Sequence, residues 1–178
     1  MTNPVYGNAV LSIKDVKFTS LDGSVQADVG AAQELMVKLV YRVGKLYGDD
    51  ELFAIVSRVV EAEGKAKSGT ISSEALGVAL GLTPSESGTT PNRITTTEVA
   101  ANHRLPYFKI YGMAYDDQLG AFQVIINKAK VTGDTEFSMK DGDSDFVSPG
   151  FDFAVVRDGS SKLITIKQLE TAAALPSS

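Results

Sequence analysis

Leu35, Val37, Leu39, Tyr41 and Val43 are apolar at every second position, the period of a half-buried strand, with Lys38 and Arg42 on the opposite face. Met36 and Val40 make that opposite face only partly polar. Gly48, Asp49 and Asp50 then supply turn chemistry, because glycine tolerates positive φ and aspartate bonds its own backbone. Leu52 to Lys67 returns as LFAIVSRVVEAEGKAK, apolar on both faces at first and increasingly charged toward Gly64. Two long strands around a short acidic connection predict a long hairpin. The rest of the chain has to be arranged around it.

A helix start follows at Thr70-Ile71-Ser72-Ser73-Glu74. A serine hydroxyl there can accept from an orphan amide, and Glu74 suits the positive end of the helix dipole. Ala75, Leu76, Ala79 and Leu80 form the apolar stripe, and Gly81 is a natural stop. Before the hairpin, Ala9 to Phe18 reads as a first strand, and Val25 to Gln33 as a short edge strand or ordered loop. After the helix, Thr83 to Arg93 is rich in Pro, Ser and Thr and reads as a surface loop. Leu105 to Tyr115 and Ala121 to Val131 form a hairpin around Asp116-Asp117. Phe122, Val124, Ile126, Lys128 and Lys130 are expected on one face of its return strand. Glu136 to Lys140 is a short strand, and Phe151 to Val156 with Lys162 to Leu169 a last hairpin around Asp158-Gly159.

Repeated strands with Gly/Asp turns and one helix predict a mainly β fold. Two packed antiparallel sheets, a sandwich or partial barrel, carry one flanking α-helix. The 178 residues suit a single domain, with 1–7 a loose arm and 171–178 a loose tail. No run approaches the roughly 18 apolar residues of a membrane span, and MTNPVYGNAV has neither the basic nor the apolar part of a secretory signal.

The absence of cysteine excludes disulfides, thiolate metal sites and thiol nucleophiles together. A net charge of −5 disfavours tight nucleic-acid binding, which needs a clustered basic surface. His103 is the only histidine and no G-x-S-x-G elbow accompanies it, so a hydrolytic triad has no anchor. Asp141, Asp143, Asp145 and Asp152 have calcium-loop spacing, but Phe146 stands where such a loop needs glycine, so the stretch reads as an exposed acidic turn. Phosphate-loop, dinucleotide and zinc patterns are absent. No enzyme and no cofactor is expected.

Several pieces in order resemble the tail tube, or major tail, proteins of tailed bacteriophages. They are Gly44-Lys45-Leu46-Tyr47-Gly48-Asp49-Asp50-Glu51-Leu52, then Glu61-Ala62-Glu63-Gly64, then the Ile71 to Leu76 helix start. The second half adds Leu105-Pro106-Tyr107-Phe108, Asn127 to Val131, and Asp145-Phe146 before Phe151 to Val155. The resemblance implies a structural subunit whose hexameric rings stack into a hollow tube, with an acidic lumen that conducts genome DNA without holding it. It also implies partners: further copies of the chain, and tail terminator, tape-measure and baseplate proteins. The implied location is the virion tail, after synthesis in the host cytoplasm.

Glu61 and Glu63 share a strand face with no turn nearby, so that face is expected to be wet and is assigned to the lumen, with Lys38 and Arg42 across the hairpin. Lys45, Tyr47, Asp49, Asp50 and Glu51 at the hairpin tip, with Glu74, Glu86 and Arg93, are the expected contacts between subunits or rings. The competing reading is a β-barrel binding a small apolar ligand, its pocket lined by Tyr107, Phe108, Tyr111 and Phe122.

Overall fold

The computed structural model describes residues 13–48, 51–69, 72–116, 120–135, 150–169 and 175. The expected loose arm, the Glu136 to Lys140 strand and the Asp141 to Asp145 turn lie outside them. Of the expected loose tail only Leu175 is described, and it is buried.

Among the described residues, ten strands and one helix follow in chain order. They are β1 (Ile13–Ser20), β2 (Gln26–Asp28), β3 (Ala32–Gly48), β4 (Glu51–Ser68), α1 (Ser73–Leu80), β5 (Ser85–Ser87), β6 (Ile94–Thr96), β7 (Phe108–Asp116), β8 (Gly120–Val131), β9 (Gly150–Val155) and β10 (Ile164–Leu169). One antiparallel sheet of eight strands runs β2-β1-β7-β8-β9-β4-β3, with β10 also on β8; β5 and β6 form a second, two-stranded sheet. The sheet is not closed into a barrel.

The large sheet folds back on itself at β8. Ala121 to Ile126 of β8 pair with β10, whereas Ala129 to Val131 pair with β9. This sends β9, β4 and β3 over the first layer, so that Leu35 on β3 lands on Gly112 of β7. Between the layers lie Phe18, Phe108, Phe151, Phe153, Ile110 and Ile126, all buried. The rings of Phe108 and Phe151 are tilted against Phe18, with centroids 5.3 and 6.0 Å away.

Helix α1 closes one end of the core with Ala75, Val78, Ala79 and Leu80. Ser72 Oγ accepts from the Ala75 amide at 3.2 Å, the cap that the Ser-Ser-Glu pattern predicts. At the other end Gly81 takes φ 70°, and the Leu82 amide donates to Gly77 O at 2.8 Å. His103 Nε2 lies 2.7 Å from Leu80 O, so the lone histidine caps the last helical turn.

Three expectations are corrected. β1 runs to Ser20, where a turn held by Asp22 begins, and the expected start at Ala9 lies outside the described residues. Thr83 to Arg93 is exposed as expected but contains β5, which pairs with β6. Phe151 to Val156 and Lys162 to Leu169 do not form a hairpin with each other. The Asp158 turn is present, with its carboxylate accepting from the Ser160 and Lys162 amides at 2.8 Å, yet β9 and β10 each pair with a different part of β8. A local turn sets direction, and the long edge of β8 decides the pairing.

Candidate assembly surface

Strand β4 has β9 as a second neighbour only from Ala62 to Lys67. Beyond Ala62, β3 and β4 pair, among the described residues, with one another alone as far as Gly48 and Glu51. Roughly ten residues at about 3.3 Å each make this arm about 30 Å long. Its apolar side chains are open to solvent: Phe53 is 79% exposed, Val56 67%, Tyr47 61% and Leu46 59%.

Both arm faces are apolar because β4 is apolar at consecutive positions from Leu52 to Val56, and the ladder also slips twice along the arm. Val60 is left over between the pairs Val40–Glu61 and Tyr41–Val59, and Phe53 between Leu46–Ala54 and Tyr47–Leu52. Each extra residue is a bulge that reverses the alternation of β4 relative to β3. One face then carries Tyr41, Val43 and Ile55, and the other Leu46, Ala54 and Val56. An isolated hairpin with two apolar faces and free edges is an assembly or aggregation element.

The four residues expected at the lumen fall on one face of the hairpin. Lys38 is directly opposite Glu63, and Val40 opposite Glu61; Arg42 faces Arg58. Lys65 pairs with Asp152 of β9 at 3.5 Å and Lys67 with Glu34 at 3.2 Å on the same side. The face carries charges of both signs: the register sets Lys38 beside Glu63, whereas Arg42 lies opposite the like-charged Arg58.

The expected contact residues divide into two groups. Lys45 and Tyr47 are exposed near the arm tip, opposite Ile55 and Leu52. Asp49 and Asp50 lie outside the described residues, and Glu51 is a strand residue opposite Gly48. Glu74, Glu86 and Arg93 border one shallow depression with Ser72, Ser73, Pro84 and Thr95 at the start of α1. Glu86 and Arg93 form an ion pair across the β5–β6 hairpin.

The ligand-pocket residues do not converge. Phe108 is fully buried core, Tyr107 is 38% exposed, and Phe122 borders a separate open depression with Ile13, Leu35 and Gly112. Phe108 faces the core while its neighbour Tyr107 reaches the surface, which rules out a shared lining. Among the described residues no group of His and acidic side chains could hold a metal ion, and no helix is long and apolar enough to cross a membrane.

Gly112 and Gly64 are structural positions that the residue pattern does not single out. An ideal Cβ at Gly112 would come 2.3 Å from Leu35 Cδ2. Glycine inside a strand is the available signal for such an approach, although it does not name the partner.

No family model matches the sequence, and no curated protein does. Among solved structures, the chain is similar to a subunit in the cryo-EM structure of an extracellular contractile injection system, the PVC sheath–tube complex in its extended state. The TM-score is 0.58 at 9% identity, over 93% of this chain and 95% of that one. The fold is shared. The two chains are therefore of similar length, and each consists almost wholly of the common fold.

Proposed function

We propose that this chain is the repeating, non-enzymatic subunit of a hollow tube of the phage-tail or injection type, built from hexameric rings that stack. The observation that carries this reading is the β3–β4 arm, apolar on both faces and solvent-exposed in the single chain. The likeness in fold to a sheath–tube subunit supports it.

Complete burial of one large apolar side chain is worth roughly 1.5–3 kcal/mol. The handful on the arm therefore offers on the order of 10 kcal/mol per subunit. Association itself costs about 4–15 kcal/mol, so side-chain burial alone comes close to break-even. The free edges supply the remainder: among the described residues β3 has only β4 as a hydrogen-bonded neighbour, which leaves its other edge to a strand of the next copy. Closing a ring removes those edges, as closing a barrel does.

In this assembly the face with Lys38, Arg42, Glu61 and Glu63 lines the conduit. Its charges are of both signs, with Lys38 opposite Glu63 and Lys65 beside Asp152, so a passing DNA phosphate meets carboxylates as well as cations. Tail terminator, tape-measure and baseplate proteins are the partners that a virion tail of this kind requires.

Light scattering over a concentration series tests the arm. Wild-type chains should convert from single subunits to large particles, whereas F53D/V56D should remain single and folded. Wild-type protein that stays monomeric at every concentration contradicts the reading.

A further inference from the structure

The rung Arg42–Arg58 sets two exposed guanidiniums directly opposite each other on the face assigned to the conduit, and like charges so placed repel. Among the described residues, neither has a carboxylate within ion-pair distance. On the same face Val56, opposite Gly44, and Met36, opposite Lys65, are both more than half exposed. At the root of the hairpin, Glu34 pairs with Lys67 at 3.2 Å.

The strand edges limit how a second copy can meet these groups. Strand β9 covers the outer edge of β4 up to the pair Ala62–Val155, so an added strand can lie only from Glu61 toward the tip. The outer edge of β3 has no hydrogen-bonded neighbour among the described residues. β3 begins at Ala32, just after Gly30 turns the chain at φ 79°. The longest overlap therefore sets the first residues of one copy's β3 beside the end of another copy's β9. Copies related by rotation about a tube axis keep the antiparallel sense of the hairpin itself.

Side chains then choose among registers. Their period along a strand is two, so only even shifts keep the conduit face on one side. The chain's own register, repeated between copies, would set Arg58 beside a second Arg42 and run guanidiniums around the ring without a break. A shift of four residues toward the root sets Arg58 beside Lys38, and a shift of six beside Met36. A shift of eight sets it beside Glu34 and sets Val56 beside Met36. That shift also starts β3 against the end of β9.

We propose that the β4 arm of one copy adds to the free edge of β3 of the next, with Arg58 beside Glu34 and Val56 beside Met36. The inference rests on the self-assembly reading above and names the strands and register that join neighbouring copies. Backbone groups make the edge pairing, so all four side chains still face the conduit. Glu34 then stands between Lys67 of its own chain and Arg58 of the next, and the like-charged rung gains a carboxylate. The repulsive registers act against misdocked copies.

The chain has no cysteine, so one engineered pair reports the register. Within a chain, positions 36 and 56 are about 26 Å apart, because Val56 lies opposite Gly44, eight residues along β3 from Met36. A disulfide needs Cα atoms about 4.4–6.8 Å apart, so it can join these positions only between copies. Assembled M36C/V56C should give a ladder of covalent oligomers on oxidation, and K38C/V56C, the register two residues away, should link far more slowly. Arg58→Glu supplies a second measurement. It removes the like-charge rung, so the single chain should melt no lower than wild type. The critical concentration for assembly, read by light scattering, should nevertheless rise roughly tenfold, and adding Glu34→Arg should restore it. If wild type assembles but M36C/V56C forms no disulfide between chains, or K38C/V56C links faster, this inference alone is overturned. Arg58→Glu that assembles like wild type has the same consequence. Wild-type protein that never assembles sinks the self-assembly reading and this inference with it.

Discussion

The ring of Phe153 on β9 fills the space in which a side chain at Gly64 on β4 would stand. The two residues are register partners, and an ideal Cβ at Gly64 would lie 2.3 Å from Phe153 Cζ and 2.6 Å from Met36 O. The backbone oxygen cannot rotate away, so even one methyl group forces β3 and β4 apart. Gly64→Ala should cost about 1–3 kcal/mol, as overpacking of a core does. Urea unfolding measures it. A midpoint unchanged from wild type would show that the ring has room to shift.

Leu35 and Gly112 make the corresponding contact between the two layers, and a coupled pair should behave as one. Gly112→Ala alone is expected to destabilise by about 1–3 kcal/mol. In a Leu35→Ala background the same change should cost much less, because the atom it meets is gone. Additive losses in the double-mutant cycle would place the layers differently.

Among the described residues the amides of the arm have no hydrogen-bonding neighbour beyond the β3–β4 ladder, so they open without disturbing the core. In dilute protein, amides from Tyr41 to Val59 should exchange hydrogen far faster than those of Phe153 or Ile126. On assembly the arm amides should become protected. Mass-spectrometric exchange on both states reads the difference, and unchanged arm protection after assembly would remove the arm from the interface.

Asp22 anchors the turn after β1. Its carboxylate accepts from Ser20 Oγ at 2.5 Å, and from the Ser24 amide and hydroxyl at 3.1 and 2.8 Å. These bonds, that of Ser20 foremost, hold its pKa down from 3.8 to about 2. A carboxyl whose pKa is depressed on folding adds stability that is present above its unfolded pKa and lost as pH falls from about 3.8 through about 2. Ser20→Ala should return the Asp22 pKa toward its ordinary value in a carbon-detected NMR titration. An unmoved titration curve would assign the depression to another group.

Where alternation is unbroken, the sequence reads directly. Leu35 to Val43 contains no bulge in β3, and its predicted faces match the register. The α1 caps at Ser72 and Gly81 are equally local and equally legible. The bulges are not. Nothing in Lys128 announces that a slip at β7 turns it away from Phe122, Val124 and Ile126, or that Val60 and Phe53 fall out of the ladder. Pairing over long separations is also hidden, so the Asp158 turn suggests a hairpin where β8 takes both strands. The candidate lumen face is legible in part: the hairpin pattern groups Glu61 and Glu63 with Lys38 and Arg42, and the ladder adds that Lys38 is opposite Glu63 while Arg42 is opposite Arg58.

Cryo-electron microscopy of the concentrated wild-type protein distinguishes a tube from single chains. It should show hollow tubes of stacked six-subunit rings, with β3 and β4 of every copy forming the inner wall and Lys38, Arg42, Glu61 and Glu63 facing the channel. Particles that are single chains, or tubes whose β3–β4 arms point away from the lumen, would contradict the proposed assembly.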